Sequence, residues 1–192
     1  MGSEKILHIT PYYIEQFGYQ DNYLPYYQKR LGCEVKIAAS DYYPPFPKYD
    51  ETMKPHLGER FVGAGRYEDN GIEIIRCKSI FGSLGSMTFI FFSVNDIIEK
   101  FRPDVVHIHV ITNMTSREVI RLQKKYKYRI FIDSHIDNVN APLNESWRKL
   151  YYTLWKMYMK SINLESKVDG LLPITEDAKK WLQVRLGFSS EK

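Results

Sequence analysis

The amino-acid sequence predicts an α/β domain: a mostly parallel sheet between helices, three layers in all. Three observations carry that prediction. Short β-branched runs recur at residues 5–10, 34–39, 105–110 and 129–133, and they barely alternate, as strands covered on both faces do. Helix patterns with apolar offsets of three and four lie between them. Proline and glycine fall at the joints: Pro103 stops one helix by disfavouring helical geometry at Arg102, and Gly32 closes another.

The elements follow in chain order. Lys5-Ile6-Leu7-His8-Ile9-Thr10 reads as the first strand, with His8 as a packed core histidine. A loop bearing Gly18 leads to a helix over 22–31, in which Pro25 is tolerable only in the first turn. Residues 34–39 form the second strand and complete a βαβ unit. Residues 41–70, with Pro44, Pro45, Pro47 and Pro55, show no periodicity and read as a long loop, uncommon in a compact domain and so either functional or partly mobile. A strand at 71–77 follows, with Glu73 and Arg76 alternating out of it, and Gly82 and Gly85 mark a turn. Residues 87–101 read as one amphipathic helix through Ile90, Phe91, Val94, Ile97, Ile98 and Phe101. After the strand at 105–110 comes a helix over 116–126, with Val119, Ile120 and Leu122 inward and Arg117, Arg121, Lys124 and Lys125 outward. The strand at 129–133 ends in Ser134-His135, and residues 147–164 form a long aromatic helix. The last strand, 169–175, contains Pro173, which marks an edge position or an early strand end. Thr175 is the N-cap of a final helix, with Glu176 and Asp177 in the first turn, where the helix dipole favours acids.

Composition narrows the function classes. At 192 residues the chain is one domain, or half of something larger. The net charge of +4 is too small to argue for nucleic acid. Cys33 and Cys77 have no metal-ligand spacing, and reduced thiols are expected. No apolar run has the length of a membrane span. Neither Gly-x-Gly-x-x-Gly nor Gly-x-x-x-x-Gly-Lys-Ser/Thr follows a strand, which argues against other nucleotide-binding families.

The ordered pieces resemble the N-terminal domain of a family 4, or "group 1", glycosyltransferase of the GT-B type. The carriers are Lys5-Ile6-Leu7-His8-Ile9-Thr10-Pro11-Tyr12-Tyr13, Phe17-Gly18-Tyr19-Gln20, Leu31-Gly32-Cys33-Glu34-Val35 and Asn70-Gly71-Ile72-Glu73-Ile74-Ile75-Arg76. Further on come Arg102-Pro103-Asp104-Val105-Val106-His107-Ile108-His109, Asp133-Ser134-His135 and Val168-Asp169-Gly170-Leu171-Leu172-Pro173-Ile174-Thr175-Glu176. The resemblance implies a Rossmann-like domain spanning residues 1–192, the acceptor-side half of a two-domain transferase. It implies that the donor-binding domain lies outside the chain, which by itself transfers no sugar. The alternative is a non-enzymatic α/β binding or interaction domain.

Site expectations come from the carboxyl ends of the strands, where open α/β sheets bind ligands. The resemblance sets His135 near the transferred sugar, as a donor to a hydroxyl or to developing charge; the other reading is a solvent-facing loop histidine. It sets Gly18, Tyr19 and Gln20 near the donor phosphates or sugar, with Tyr19 where similar proteins have a second glycine; the other reading is a plain turn glycine. His109, Asn113 and Asp137 are expected on the acceptor side, and Thr175 with Glu176 at a helix N-cap near the cleft. His107 is expected to be packed and Asp133 structural. No metal is expected: His107 and His109 are only two ligands, and the Asp-x-Asp pattern is absent. No cofactor belongs to this domain; a nucleotide sugar and an acceptor, glycan or lipid-linked, are the partners of the full enzyme, and nucleic acid is not. A cytoplasmic location is expected, with possible peripheral contact at the inner membrane face through the long aromatic helix. That helix reads either as a membrane-surface element or as a crossover packed on the sheet, with Trp147, Leu150, Tyr151, Leu154, Trp155, Tyr158, Met159 and Ile162 on its stripe.

Overall fold

The computed structural model describes residues 3–84, 87–136 and 145–189. The elements run β1 (Lys5–Thr10), α1 (Gln20–Arg30), β2 (Glu34–Ser40), α2 (Tyr49–Thr52), α3 (Lys54–Leu57), β3 (Gly65–Asp69), β4 (Ile72–Cys77), β5 (Ser79–Leu84), β6 (Met87–Phe92), α4 (Asn95–Phe101) and β7 (Val105–Ile108). They continue with α5 (Ser116–Tyr126), β8 (Arg129–Ser134), α6 (Glu145–Ser161), α7 (Leu164–Lys167), β9 (Gly170–Pro173) and α8 (Glu176–Trp181), which passes into a π-helical turn at Leu182–Leu186. One seven-stranded sheet has the order β3-β4-β2-β1-β7-β8-β9, and a separate β5–β6 hairpin packs beside it. Every pairing in the large sheet is parallel except β3 with β4. Counting only its parallel strands, the chain builds outward from β1 through β2 to β4, then returns to add β7, β8 and β9 on the other side. This is the Rossmann-like order, and it reverses between β1 and β7, where such sheets open a crevice.

The two faces of the sheet are filled differently. Leu7, Ile9, Val106, Ile108, Ile130 and Ile132 point to one face and pack with Ile98 of α4, Val119 of α5, Trp155 of α6 and Trp181 of α8. Ile6, Val35, Ile37, Ile74 and Val105 point to the other, with Tyr13 and Tyr26 packed over them. Alternation along each strand therefore sends His8, Thr10 and His107 toward the α1 side. The amphipathic reading of α5 holds, with Val119, Ile120 and Leu122 buried. Pro173 lies on the edge strand β9, and Thr175 caps α8 by accepting from the Ala178 N–H at 3.0 Å. In α6, Tyr152, Trp155 and Met159 are buried, as a crossover requires, while Leu150, Leu154 and Met157 remain exposed; the Trp147 side chain lies outside the described residues. Among the described residues no helix is long and apolar enough to cross a membrane.

The structure corrects four readings. Residues 87–101 are not one helix but strand β6 followed by α4. Met87-Thr88-Phe89-Ile90-Phe91-Phe92 is aromatic and β-branched, suits a pleated surface, and pairs along its length with β5. The segment 41–70 is not structureless, since it carries α2, α3 and the antiparallel strand β3, a polar edge without hydrophobic signal. Helix α1 starts at Gln20, because the Asn22 carbonyl Oδ1 accepts from the Tyr19 N–H at 3.1 Å; Pro25 thus sits in the second turn, not the first. Arg76 does not alternate outward. It is buried and donates to the Glu15 carboxylate at 2.7 Å and to the Tyr13 and Ser40 carbonyls. Its guanidinium lies over the Tyr43 and Tyr67 rings, 5.1 and 5.6 Å from their centroids. Glu15 belongs to the loop between β1 and α1, so this ion pair ties that loop to the sheet.

Candidate functional site

The parallel register sets His8 of β1 beside His107 of β7, and His107 beside Phe131 of β8. Two residues further on, His109 and Asp133 occupy the carboxyl ends of the same strands. The three imidazoles stack with centroids 4.7–5.2 Å apart. Asp133, fully buried, is their hub. Its Oδ2 accepts from His107 Nε2 at 3.0 Å and His109 Nδ1 at 2.6 Å, and its Oδ1 accepts from the Val110 N–H at 3.1 Å. His135 Nε2 stands 3.5 Å from Oδ1. Beyond His109, its Nε2 lies 2.9 Å from His8 Nδ1, and His8 Nε2 lies 2.6 Å from Gln28 Oε1 on α1. A continuous hydrogen-bonded chain therefore runs Gln28–His8–His109–Asp133–His107.

Burial alone would raise the Asp133 pKa, but hydrogen bonds from His107 and His109 outweigh it and hold the carboxyl well below its usual range. Burial pushes His8 well down, with the neighbouring His109 and His107 adding to the effect. Burial also lowers His107, against the opposing pull of Asp133. Asp133 is thus ionised, and both imidazoles facing it turn a ring nitrogen toward it. Among the described residues, His107, His109 and Asp133 are the group whose ligand atoms lie within 4.8 Å of one another. Both ring nitrogens of His109 and both oxygens of Asp133 already have partners within this network.

Val110, next to this hub, has φ +68°, which is rare for a β-branched residue. The strained backbone aims its N–H at Asp133 and turns the chain out of β7. In front of it lies a cavity of about 670 Å³, lined by Thr10, Tyr12, Asp21, Val110, Thr112, Phe89 and Tyr151 among others. Its size suits a small-molecule ligand.

The sequence-predicted residues divide cleanly. Gly18, Tyr19, Gln20, His109 and His135 all line this one cavity. Asn113 does not; it is buried and its Oδ1 accepts from the Thr115 N–H at 3.0 Å, so it shapes the turn into α5. Thr175 and Glu176 are exposed and cap α8 without lining the cavity, whose nearby lining residue is Ile174. Asp137 lies outside the described residues. His8 and Asp133 support His109 from behind. Asp21 was not singled out by sequence. It lines the cavity from the first turn of α1, and its Oδ2 accepts from the Thr10 hydroxyl at 3.3 Å. The signal for the hub was present: His8, His107, His109 and Asp133 interrupt buried runs on strands that must be neighbours.

No family model matches the chain, and no curated protein does. Among solved structures, sucrose-phosphate synthase from Thermosynechococcus elongatus aligns with a TM-score of 0.57 at 12% identity, over 94% of this chain and 44% of that one. A protein of unknown function from Vibrio parahaemolyticus aligns at a TM-score of 0.40 and 17% identity, over 91% of this chain and 95% of that one. The chain thus spans less than half the length of the synthase. What the likeness establishes is the fold: a Rossmann-like α/β domain similar to part of a GT-B glycosyltransferase.

Proposed function

We propose that this domain is the acceptor-side half of a GT-B glycosyltransferase, working with a second domain that holds most of the nucleotide sugar. One observation carries the reading: Gly18, Tyr19, Gln20, His109 and His135 meet in a single cavity at the reversal of strand order. That is where an open α/β sheet places a ligand. The likeness in fold to part of a GT-B enzyme agrees with it.

In this reading each part has a task. The exposed loop through Gly18 and Tyr19 forms the rim nearest the donor, and the Arg76–Glu15 pair holds that loop in place. His135, partly exposed and 3.5 Å from Asp133, offers a positioned donor to a sugar hydroxyl or to charge developing in the transition state. His109 is fixed through both ring nitrogens and forms a rigid wall. The rigid imidazole stack behind it costs no reorganisation when substrate arrives. In this reading the hub is a supporting element.

The test is turnover in the complete protein that contains this domain, with nucleotide sugars as donors. His135→Ala is expected to lower kcat by about 10²–10³, the loss typical of one preorganised donor, while thermal stability changes little. Unchanged turnover would remove His135 from the mechanism. Absence of any sugar transfer by the complete protein would remove the reading itself.

A further inference from the structure

The cavity has an unusual charge for this protein. The chain carries 27 Lys and Arg against 23 Asp and Glu, yet no Lys or Arg is among the described residues that line the cavity, and the single carboxylate there is Asp21.

From this distribution we propose that the cavity takes an uncharged sugar ring bearing neighbouring hydroxyls, gripped by the Asp21 carboxylate, and that it rejects sugar phosphates. The proposal rests on the acceptor-side reading above and names its substrate class.

The grip follows from what a carboxylate can do. An ionised Asp only accepts hydrogen bonds, and its two oxygens can take two adjacent O–H groups. Asp21 is half-buried, with the Thr10 hydroxyl as a long partner at 3.3 Å. Burial makes its charge costly, and the Asp133 charge behind it adds to that, while His109 and Thr10 offset part. A ligand that brings O–H donors relieves this cost. Around Asp21, Tyr12, Tyr19, Phe46 and Tyr151 supply flat apolar faces for the C–H side of a sugar ring, and Thr88 and Thr112 supply further hydroxyls.

The rejection follows from the same groups. A phosphate set beside Asp21 brings charge of like sign into a partly buried site with no Lys or Arg among its described lining residues to pair it. The N-terminus of α1 attracts anions, but Asp21 already occupies that first turn. The nitrogens of His109 are engaged by His8 and Asp133 and are not available to a phosphate. Gly18, by contrast, is exposed on the rim, so donor phosphates can approach there without entering.

Saturation-transfer NMR on the whole chain tests this, with methyl glucoside, methyl galactoside and methyl mannoside as uncharged probes and glucose 6-phosphate as the charged one. At least one methyl hexoside is expected to bind, glucose 6-phosphate at least tenfold more weakly, and Asp21→Asn and Asp21→Ser to lose tenfold or more in hexoside affinity while circular dichroism stays native. The source of the sugar is read from octyl glucoside below its micelle concentration. Tighter binding than methyl glucoside assigns a lipid-linked sugar, its chain on the adjoining recess of Phe89, Met114, Leu154, Trp155 and Tyr158; equal binding assigns a free sugar or glycan end. Binding of glucose 6-phosphate as tight as that of the hexosides, no hexoside binding at all, or hexoside binding unchanged in folded Asp21 variants would overturn the proposal. Any of these would leave the transferase reading standing if the complete protein still transfers sugar.

Discussion

Removing the Asp133 carboxylate separates the two things it does, carrying charge and completing hydrogen bonds. Asp133→Ala leaves the His107 and His109 donors and the Val110 N–H without the fully buried carboxylate that accepts from them. Breaking a buried charged cluster from one side costs about 3–5 kcal/mol. At a urea m-value of about 2 kcal/mol/M, the unfolding midpoint should fall by about 2 M. Asp133→Asn should be far milder. Its oxygen can still accept from Val110, and its NH₂ can donate to His107 Nε2 and His109 Nδ1 once those rings shift their protons to the other nitrogen. His109 Nε2 then donates to His8 Nδ1, and His8 Nε2 to the Gln28 oxygen. The chain is satisfied with no buried charge, so a cost of about 1–2 kcal/mol is expected, near that of a single hydrogen bond. The acid dependence should change too. The Asp133 pKa is lower folded than unfolded, so its contribution is full above the unfolded carboxyl pKa and is lost as pH falls through the folded one. Asp133→Asn should lack that part of the acid slope. Urea titrations of the three proteins at neutral and acidic pH measure all of this. An Ala variant within about 1 kcal/mol of the parent would mean that the hub is not the energetic centre of the site.

Other expectations follow from the same geometry. His8 and His107 are both depressed in the fold, so their contribution is present above about pH 6.5 and lost as pH falls below it; the wild-type slope in urea titrations there should approach two protons, about 2.7 kcal/mol per pH unit, and a flat profile from pH 6.5 to 5 would refute neutral burial. Glu15→Ala leaves the Arg76 guanidinium buried without its carboxylate and should cost about 3 kcal/mol, with faster proteolysis in the loop before α1; full stability would show the loop to be held by other contacts. Val110→Gly removes the strain of φ +68° and should raise stability by up to about 1 kcal/mol, net of glycine's entropy; a marked loss would mean that the Val110 side chain matters more than its backbone.

Much of this molecule can be read before it is seen, and the failures have physical causes. Helix α5 was legible to the residue, because Val119, Ile120 and Leu122 sit at helical offsets with cations opposite. The strand end at Asp133 and the cap at Thr175 were legible from apolar runs and side-chain chemistry. Strand β6 was hidden because Ile90 and Phe91 satisfy helical and extended patterns alike; pairing with β5 decided between them. Strand β3 was hidden because Gly65-Arg66-Tyr67-Glu68-Asp69 is an edge, with little to bury. Asp21 escaped because its place in the cavity depends on where α1 begins, and that depends on the Asn22–Tyr19 contact. Asn113 looked like a cleft residue because polar residues at strand ends usually face ligand; here its side chain serves a backbone N–H instead.

The acceptor-side assignment is tested most directly by calorimetry of this chain against nucleotide sugars. Donor recognition assigned to a second domain means that these 192 residues should bind UDP- and GDP-sugars no more tightly than about 1 mM, some 4 kcal/mol, and should transfer no sugar to the hexosides used above. A micromolar Kd for a nucleotide sugar on this chain alone would contradict the assignment, because it would place the donor site in this domain.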